Sequence, residues 1–256
     1  MQDANPSISS QPAAQTITAG QTATFSVVAT GIAPLGYQWK KGGINIPDAI
    51  NSTYTTPVMS SAGSGVEYSV VVSNSAGTVT SSSATLTVHR YSLVANASGG
   101  FYDKTECVKD NSTGRVWEGK TASGPRAGTL YFTNYDSITS AQKYDGSAYV
   151  NPTQTEMDAL TNSIGYRNFV NASALCGFTD WRLPTKDALK EIVLSGTSPT
   201  IPTIDATWFP NTQAGYYWTS SPFVGNSSVA WAVYFANGDT RYYSRDIYAS
   251  YVRLVR

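Results

Sequence analysis

Residues 5–89 carry apolar side chains at every second position in short runs separated by Gly, Pro, Asn and Ser: "TATFSVVAT", "LGYQWKKGG", "VEYSVVVSNSAG" and "TVTSSSATLTV". Period two marks strands with one buried face, and a series of short strands with frequent turns predicts a β-sandwich. In the first run Ala23, Phe25 and Val27 point one way; in the third Tyr68, Val70 and Val72 share a face. The two faces are expected to meet in a core.

From residue 91 the pattern becomes mixed. In "FYDKTECVKDNSTGRVWEGK" a polar turn at Asn111 to Gly114 precedes an apolar strand end at Val116 and Trp117. "TQTEMDALTNSIGYRNFVNASALCG" spaces Met157, Leu160, Ile164 and, past Gly165, Phe169 as on a helix, and Pro184 and Thr185 open a second helix in "PTKDALKEIVLSG". Further on, "AWAVYFANGDTRYYS" predicts a hairpin whose Asn237-Gly238 turn supplies positive backbone angles. Alternation sets Trp231, Val233 and Phe235 opposite Tyr234, and "RYYSRDIYASY" is polar and irregular enough to be exposed. Helices among strands make this second region α+β. The expected domains are thus 5–89 and 91–256.

The chain has 256 residues, enough for two cores. Only 13% are charged and the formal net charge is zero, with no basic run to follow a phosphate backbone, so no nucleic-acid partner is expected. Apolar stretches are strand-sized and predict no membrane insertion. The start "MQDANPSISSQPAAQ" has neither a basic head nor an apolar core, so no signal peptide is visible; export by a removed signal and assembly into a virion both fit. Cys107 and Cys176 are the two cysteines and make one pair at most, either inert or a structural disulfide. His89, the single histidine, lacks partners for a metal or a catalytic triad and reads as solvated. Asp180 and Arg182 flanking Trp181 read as a fold-holding pair, and no lectin-type calcium signature occurs. No cofactor, metal or catalytic residue is expected.

Trp39 in "YQWKKGG" and Tyr68 in "GVEYSVVVSNSAG" resemble the core Trp and the tyrosine corner of immunoglobulin-like domains. Val27 and Val70 stand where antibody domains carry bridging cysteines. The resemblance implies an all-β immunoglobulin-like sandwich serving as a spacer or stalk, with packed valines in place of a disulfide.

In the second region, "TGRVWE", "CGFTDWRLPTKDALKEIV", "YYWTSS", "AWAVYF" and "YVRLVR" occur in that order. The order resembles a bacterial and phage family of C-type-lectin-like fold, found as the C-terminal domain of a collagen-like adhesin and in variable proteins of diversity-generating retroelements. That resemblance implies a buried scaffold of Trp117, Trp181, Arg182, Leu183, Pro184, Trp218, Trp231, Val252 and Arg253, none of them a ligand contact. The fold is also similar to that of formylglycine-generating oxidases, which use a cysteine pair near substrate; on that alternative Cys107 and Cys176 are redox residues.

From Thr219 to Arg256 the chain contains no Lys, Glu, Gln or Met. Adenine-directed mutagenesis of Asn codons, the retroelement mechanism, cannot produce those four residues or Trp, and "PFVGNSSV" and "DTRYYSRDIYASY" fit the alphabet it can produce. The variable segment is placed at about 219–251. Its expected ligand surface is one contiguous exposed patch of Phe223, Asn226, Tyr234, Asp239, Arg241, Tyr242, Tyr243, Arg245, Asp246 and Tyr248, with tyrosines giving contact area at low rotamer cost and arginines giving charge-assisted bonds. The expected function is a non-enzymatic receptor-binding or surface-display protein, extracellular on a virion or bacterial surface, meeting a protein or glycan ligand on a cell. A fixed glycan-binding adhesin is the alternative.

Overall fold

The period-two runs become strands in the computed structural model, which describes residues 5–194, 201–246 and 250–256. The chain divides into two compact units, Met1–Ser92 with Asp110–Gly114, and Leu93–Lys109 with Arg115–Arg256. The polar turn at 110–114 therefore groups with the first unit, not with the second as its place in sequence implied.

The first unit contains β1 (Ser7–Ser10), β2 (Gln15–Thr18), β3 (Thr24–Ser26), β4 (Val28–Thr30), β5 (Gly36–Lys41), β6 (Ile44–Asn45), β7 (Thr53–Thr55), β8 (Val66–Asn74), β9 (Gly77–Thr80) and β10 (Ala84–His89). One sheet runs β2-β10-β8-β5-β6, with β9 also on β8; facing it, β1 pairs β4 and β3 pairs β7. β2 joins β10 in parallel and the other pairs are antiparallel. This is an immunoglobulin-like sandwich. Phe25 and Val27 meet Trp39, Tyr68, Val70 and Leu86 in one buried cluster. Phe25 stacks on Tyr68 at 4.6 Å, and the Trp39 indole N–H donates to the Asn51 carbonyl at 2.9 Å. Val27 and Val70 are both buried, so the valines fill the bridge positions. His89 is exposed.

In the second region follow β11 (Tyr91–Leu93), β12 (Cys107–Asp110), β13 (Val116–Glu118), β14 (Lys143–Tyr144), β15 (Tyr149–Val150), α1 (Gln154–Asp158), α2 (Ser163–Ala172), α3 (Lys186–Glu191), β16 (Tyr216–Pro222), β17 (Val229–Tyr234) and β18 (Thr240–Ser244). The first expected helix is broken in two. Thr153 and Glu156 form a capping box that starts α1, but Asn162 ends the run: its amide donates to Met157 O at 2.9 Å and Tyr135 O at 3.0 Å, and its side-chain oxygen accepts from Tyr135 N at 2.8 Å. Gly165 then lets α2 lie against the end of α1, since a Cβ there would sit 2.2 Å from the Ala159 carbonyl oxygen. Leu160, expected on the helix face, is exposed, and α2 buries Tyr166 and Val170 instead. α3 begins where expected, capped by the Thr185 hydroxyl, which accepts from Ala188 N.

Cys107 and Cys176 form a disulfide with Cα atoms 6.6 Å apart, and both lie in the core with Tyr166, Trp181 and Trp218. Trp117, Leu183, Pro184, Val252 and Arg253 are buried as the scaffold reading requires. Two members depart from it. Arg182 is exposed, because the strand-like bridge between Arg182 and Val255 turns Trp181 and Leu183 inward and the residue between them outward. Asp180 pairs with Arg256 at 3.0 Å, so the expected Asp180–Arg182 pair is replaced. Trp231 is only half-buried.

A polar cluster passed over in sequence sits at the centre. Glu118 is fully buried: one carboxylate oxygen accepts from Lys120 Nζ at 3.0 Å and from the Tyr166 hydroxyl, the other from Leu254 N at 3.0 Å. Arg253 reaches the Glu118 carbonyl at 2.5 Å and Thr212 Oγ1 at 2.6 Å. Burial, reinforced by Arg253 and Arg126, pushes Lys120 down to about 8 despite Glu118.

Two outcomes are expected. Replacing Cys107 and Cys176 by Ala reopens a loop with a sequence separation of 69, and lowers the stability of the second unit by about 2–4 kcal/mol in denaturant titration. The folded pKa of Lys120 lies below its unfolded value of about 10.4, so between about pH 8 and pH 10 the unfolded chain holds more protons and stability rises with pH. Urea midpoints at about pH 7.5 and about pH 9.5 should show that rise, and Lys120→Met should lack it.

Candidate ligand-binding site

The segment after Ala214 is built as a three-stranded antiparallel sheet, β16-β17-β18. Trp218 pairs Ala232, Ala230 pairs Tyr243, and Tyr216 pairs Tyr234, so these side chains share one face, whose centre is the core around Trp218, Ala230 and Ala232. Tyr217 pairs Val233 and Trp231 pairs Tyr242 on the other face, against which α3 packs. The hairpin between β17 and β18 spans Phe235–Asp239. Gly238 alone of its Asn-Gly pair has a positive φ, of 82°, and its N–H closes on Tyr234 O at 2.7 Å.

A register shift between Trp218 and Pro222 frees three polar residues to anchor the neighbouring loop. Thr219 Oγ1 donates to Trp231 O at 2.8 Å, Ser220 N donates to Pro184 O at 2.8 Å, and Ser221 Oγ accepts from Lys186 N at 2.9 Å. These bonds hold Lys186 over the strand end: its Nζ lies 4.4 Å from the centre of the Trp231 ring. Phe223 lies 4.3 Å from Tyr242 and 5.7 Å from Trp231, and Tyr242 meets Trp231 edge-on at 5.7 Å. Trp231 thus stands on an aromatic platform with one cation, rather than in the core.

The expected single patch splits in two. Phe223 and Tyr242 join Trp231 on one face; Tyr234, Arg241 and Tyr243 lie on the other, where Tyr234 stacks on Tyr216 at 4.5 Å and Tyr243 meets Tyr216 edge-on at 4.7 Å. The reason is strand geometry: Arg241, Tyr242 and Tyr243 are consecutive, and consecutive residues cannot share a face. Asn226 is exposed, with its side-chain oxygen accepting from Ser228 N and Oγ at 3.0 and 2.7 Å. Asp239 is exposed at the hairpin end and accepts from Asn237 Nδ2 at 2.8 Å. Asp246 is half-buried, held by Ser244 Oγ at 2.6 Å and by Tyr144 N. Tyr248 lies outside the described residues.

Arg245 overturns the expectation of exposure. It is buried, pairs with Asp136 at 3.0 Å, and donates to the carbonyls of Asn134 at 2.6 Å and Ser227 at 2.9 Å. Its guanidinium organises loops and is unavailable to a ligand. Lys186 and Tyr216 were missed as site residues; the Pro-Thr helix start placed Lys186 in a first turn, but only the packing of α3 on β17 reveals its ring partner.

Arg245→Ala should therefore destabilise the second unit by about 2–3 kcal/mol, since it empties a buried site and takes the donor from the carbonyls of Asn134 and Ser227, whereas Arg241→Ala should cost less than about 0.5 kcal/mol. Thermal unfolding of the two variants side by side checks this.

Solved structures similar to this chain include the I-band fragment I67–I69 of titin, at 25% identity with a TM-score of 0.30, covering 36% of this chain and 36% of that one. Others are the tandem Ig repeats of Dlar, at 22% identity, 34% and 49% coverage and a TM-score of 0.31, and Sidekick-1 immunoglobulin domains 1–5, at 21%, 34% and 20% and 0.31. The chain spans less than half the length of each of these three structures. No curated protein matches it. Residues 106–256, more than half of the chain and all of the sheet and scaffold described above, match the family described as Lcl C-terminal domain. The chain belongs to the Lcl C-terminal domain family, a C-type-lectin-like family, and its second unit has the character of a ligand-binding surface protein.

Proposed function

We propose that the second unit is a non-enzymatic receptor-binding or surface-display module that meets a protein or glycan ligand on a cell surface through a diversified segment at about 219–251. The observation that carries this reading is the platform of Phe223, Trp231 and Tyr242 under Lys186. Clustered Trp and Tyr side chains are the composition of interface hot spots. Trp lies outside the alphabet that Asn-codon mutagenesis can write, whereas Phe, Tyr, Asn, Asp and Arg lie inside it. Trp231 is then a fixed anchor, Phe223 and Tyr242 are the replaceable positions around it, and Asn226, Asp239 and Arg241 are replaceable positions in the adjoining loop, at the hairpin end and on the opposite face. Their backbone is held by Trp218, Thr219 and the loop at Pro184, so side-chain replacement need not disturb the fold. The buried disulfide leaves Cys107 and Cys176 sequestered from substrate and supports oxidising, extracellular surroundings on a virion or bacterium.

A library randomised at positions 223, 226, 239, 241 and 242 should remain largely protease-resistant, whereas one randomised at Trp181 and Trp218 should not. Among folded members, Phe223→Ala with Tyr242→Ala should lower binding to a panel of bacterial cells by about tenfold or more. A library that unfolds, or a double variant that binds cells as the parent does, overturns the reading.

A further inference from the structure

On the face of the sheet opposite Trp231, tyrosines enclose a cleft of about 330 Å³ lined by Tyr131, Gly215, Tyr216, Tyr243, Ser250 and Tyr251. One wall is Tyr131 stacked on Tyr251 at 4.6 Å, with the Tyr251 hydroxyl donating to the Tyr131 hydroxyl at 2.9 Å. The other is Tyr216, backed by Tyr234 at 4.5 Å and braced edge-on by Tyr243 at 4.7 Å. Gly215 makes the floor: a Cβ there would fall 2.4 Å from the Tyr251 ring, so only glycine lets that ring lie against the strand. Tyr251 is fixed from behind, its N–H donating to Tyr216 O at 2.8 Å and its carbonyl accepting from Trp218 N at 2.9 Å.

None of the described lining residues is charged, and Arg241 beside the cleft is already hydrogen-bonded to the Tyr243 hydroxyl. A cation would enter without a counter-charge, an anion would have to compete with Tyr243 for Arg241, and a wholly apolar ligand would strip water from the hydroxyls with nothing in return. Tyr and Ser hydroxyls both donate and accept, which suits a ligand that is itself a ring of hydroxyls. Ring faces 4.5–5 Å from their backing rings present flat apolar area beside those hydroxyls. The volume lies at the lower end for small-ligand pockets, which start at about 300 Å³. We propose that this cleft binds one neutral hexopyranose unit, its C–H face on Tyr216 or Tyr131 and its hydroxyls on the tyrosine hydroxyls and Ser250. Burial and the neighbouring Tyr216 hold the Tyr243 hydroxyl at about 12, so it stays protonated at neutral pH.

The cleft shares no residue with the platform of Phe223, Trp231 and Tyr242, and the two can fail separately. The full chain is titrated, with NMR of the tyrosine rings, against the methyl glycosides of glucose, galactose and mannose, and against N-acetylglucosamine, tetramethylammonium and glucuronate. At least one neutral sugar is expected to bind with a Kd of about 1 mM or tighter. Tyr131 is 57% exposed, so Tyr131→Ala keeps the fold and should weaken that sugar about tenfold. Gly215→Ala should weaken it by displacing Tyr251, and Tyr131→Phe should weaken it less than Tyr131→Ala. Tyr242→Ala should leave it unchanged. Binding of tetramethylammonium or glucuronate alone, absence of any neutral sugar, or sugar binding that survives Tyr131→Ala overturns the proposal; sugar binding lost in Tyr242→Ala moves the sugar to the platform and overturns it as well.

Discussion

The second unit depends on one buried carboxylate. Glu118 has no access to water, and its two oxygens and its carbonyl are shared among Lys120, Tyr166, Leu254 and Arg253. A charge in such a place is tolerable only while its partners remain, and loss of one typically costs about 3–5 kcal/mol. Because Glu118 ends β13 and its partners come from just past that strand, from α2 and from the run after Tyr251, the carboxylate fixes three distant stretches of chain relative to one another. Val252 and Leu254 then fill the core, Tyr251 lies beside β16, and the sheet that carries both candidate surfaces acquires a rigid back.

The first unit was legible because alternation and burial coincide there. Phe25 and Val27 on one side and Trp39 and Val70 on the other are apolar, evenly spaced and inward, so the period alone predicts the sandwich. The aromatic scaffold of the second unit was legible by resemblance. What escaped reading shares one physical cause: side chains whose environment is set by residues far away in sequence. Arg245 sits in a polar run that looks solvated, yet the carbonyl of Asn134, 111 positions earlier, draws it inward. Glu118 and Lys120 in "VWEGK" look like a strand end in water until Tyr166 and Arg253 close over them. Trp231 alternates correctly with Tyr234, but periodicity says which residues share a face and not where along the strand the covering helix stops. The helix break at Asn162 is of the same kind, a local pattern overruled by a tertiary hydrogen-bond partner, here Tyr135.

The two faces of the sheet divide the aromatic residues into surfaces of unlike character. The platform at Trp231 is open, bears a cation and suits a broad macromolecular contact. The cleft at Tyr216 is concave, its described lining residues are uncharged, and it is the size of one small group. A protein that uses both would recognise a large partner and a single residue of its coat independently, with affinities that combine only if the partner's geometry lets both be engaged together.

Adjacent residues of β18 serve opposite surfaces, Tyr242 the platform and Tyr243 the cleft side. The strand therefore behaves like a reading frame. Base substitution changes what each surface displays and leaves the frame intact, whereas gain or loss of one residue before Arg241 would trade the contents of the two faces, thrusting an outward side chain toward Trp218 and emptying the place beneath Phe223. Under the proposed diversification, change at the exposed positions of this segment is thus free in identity and constrained in length, and lineages derived from it should differ there by replacement while keeping the count of residues between Trp231 and Arg253 unchanged.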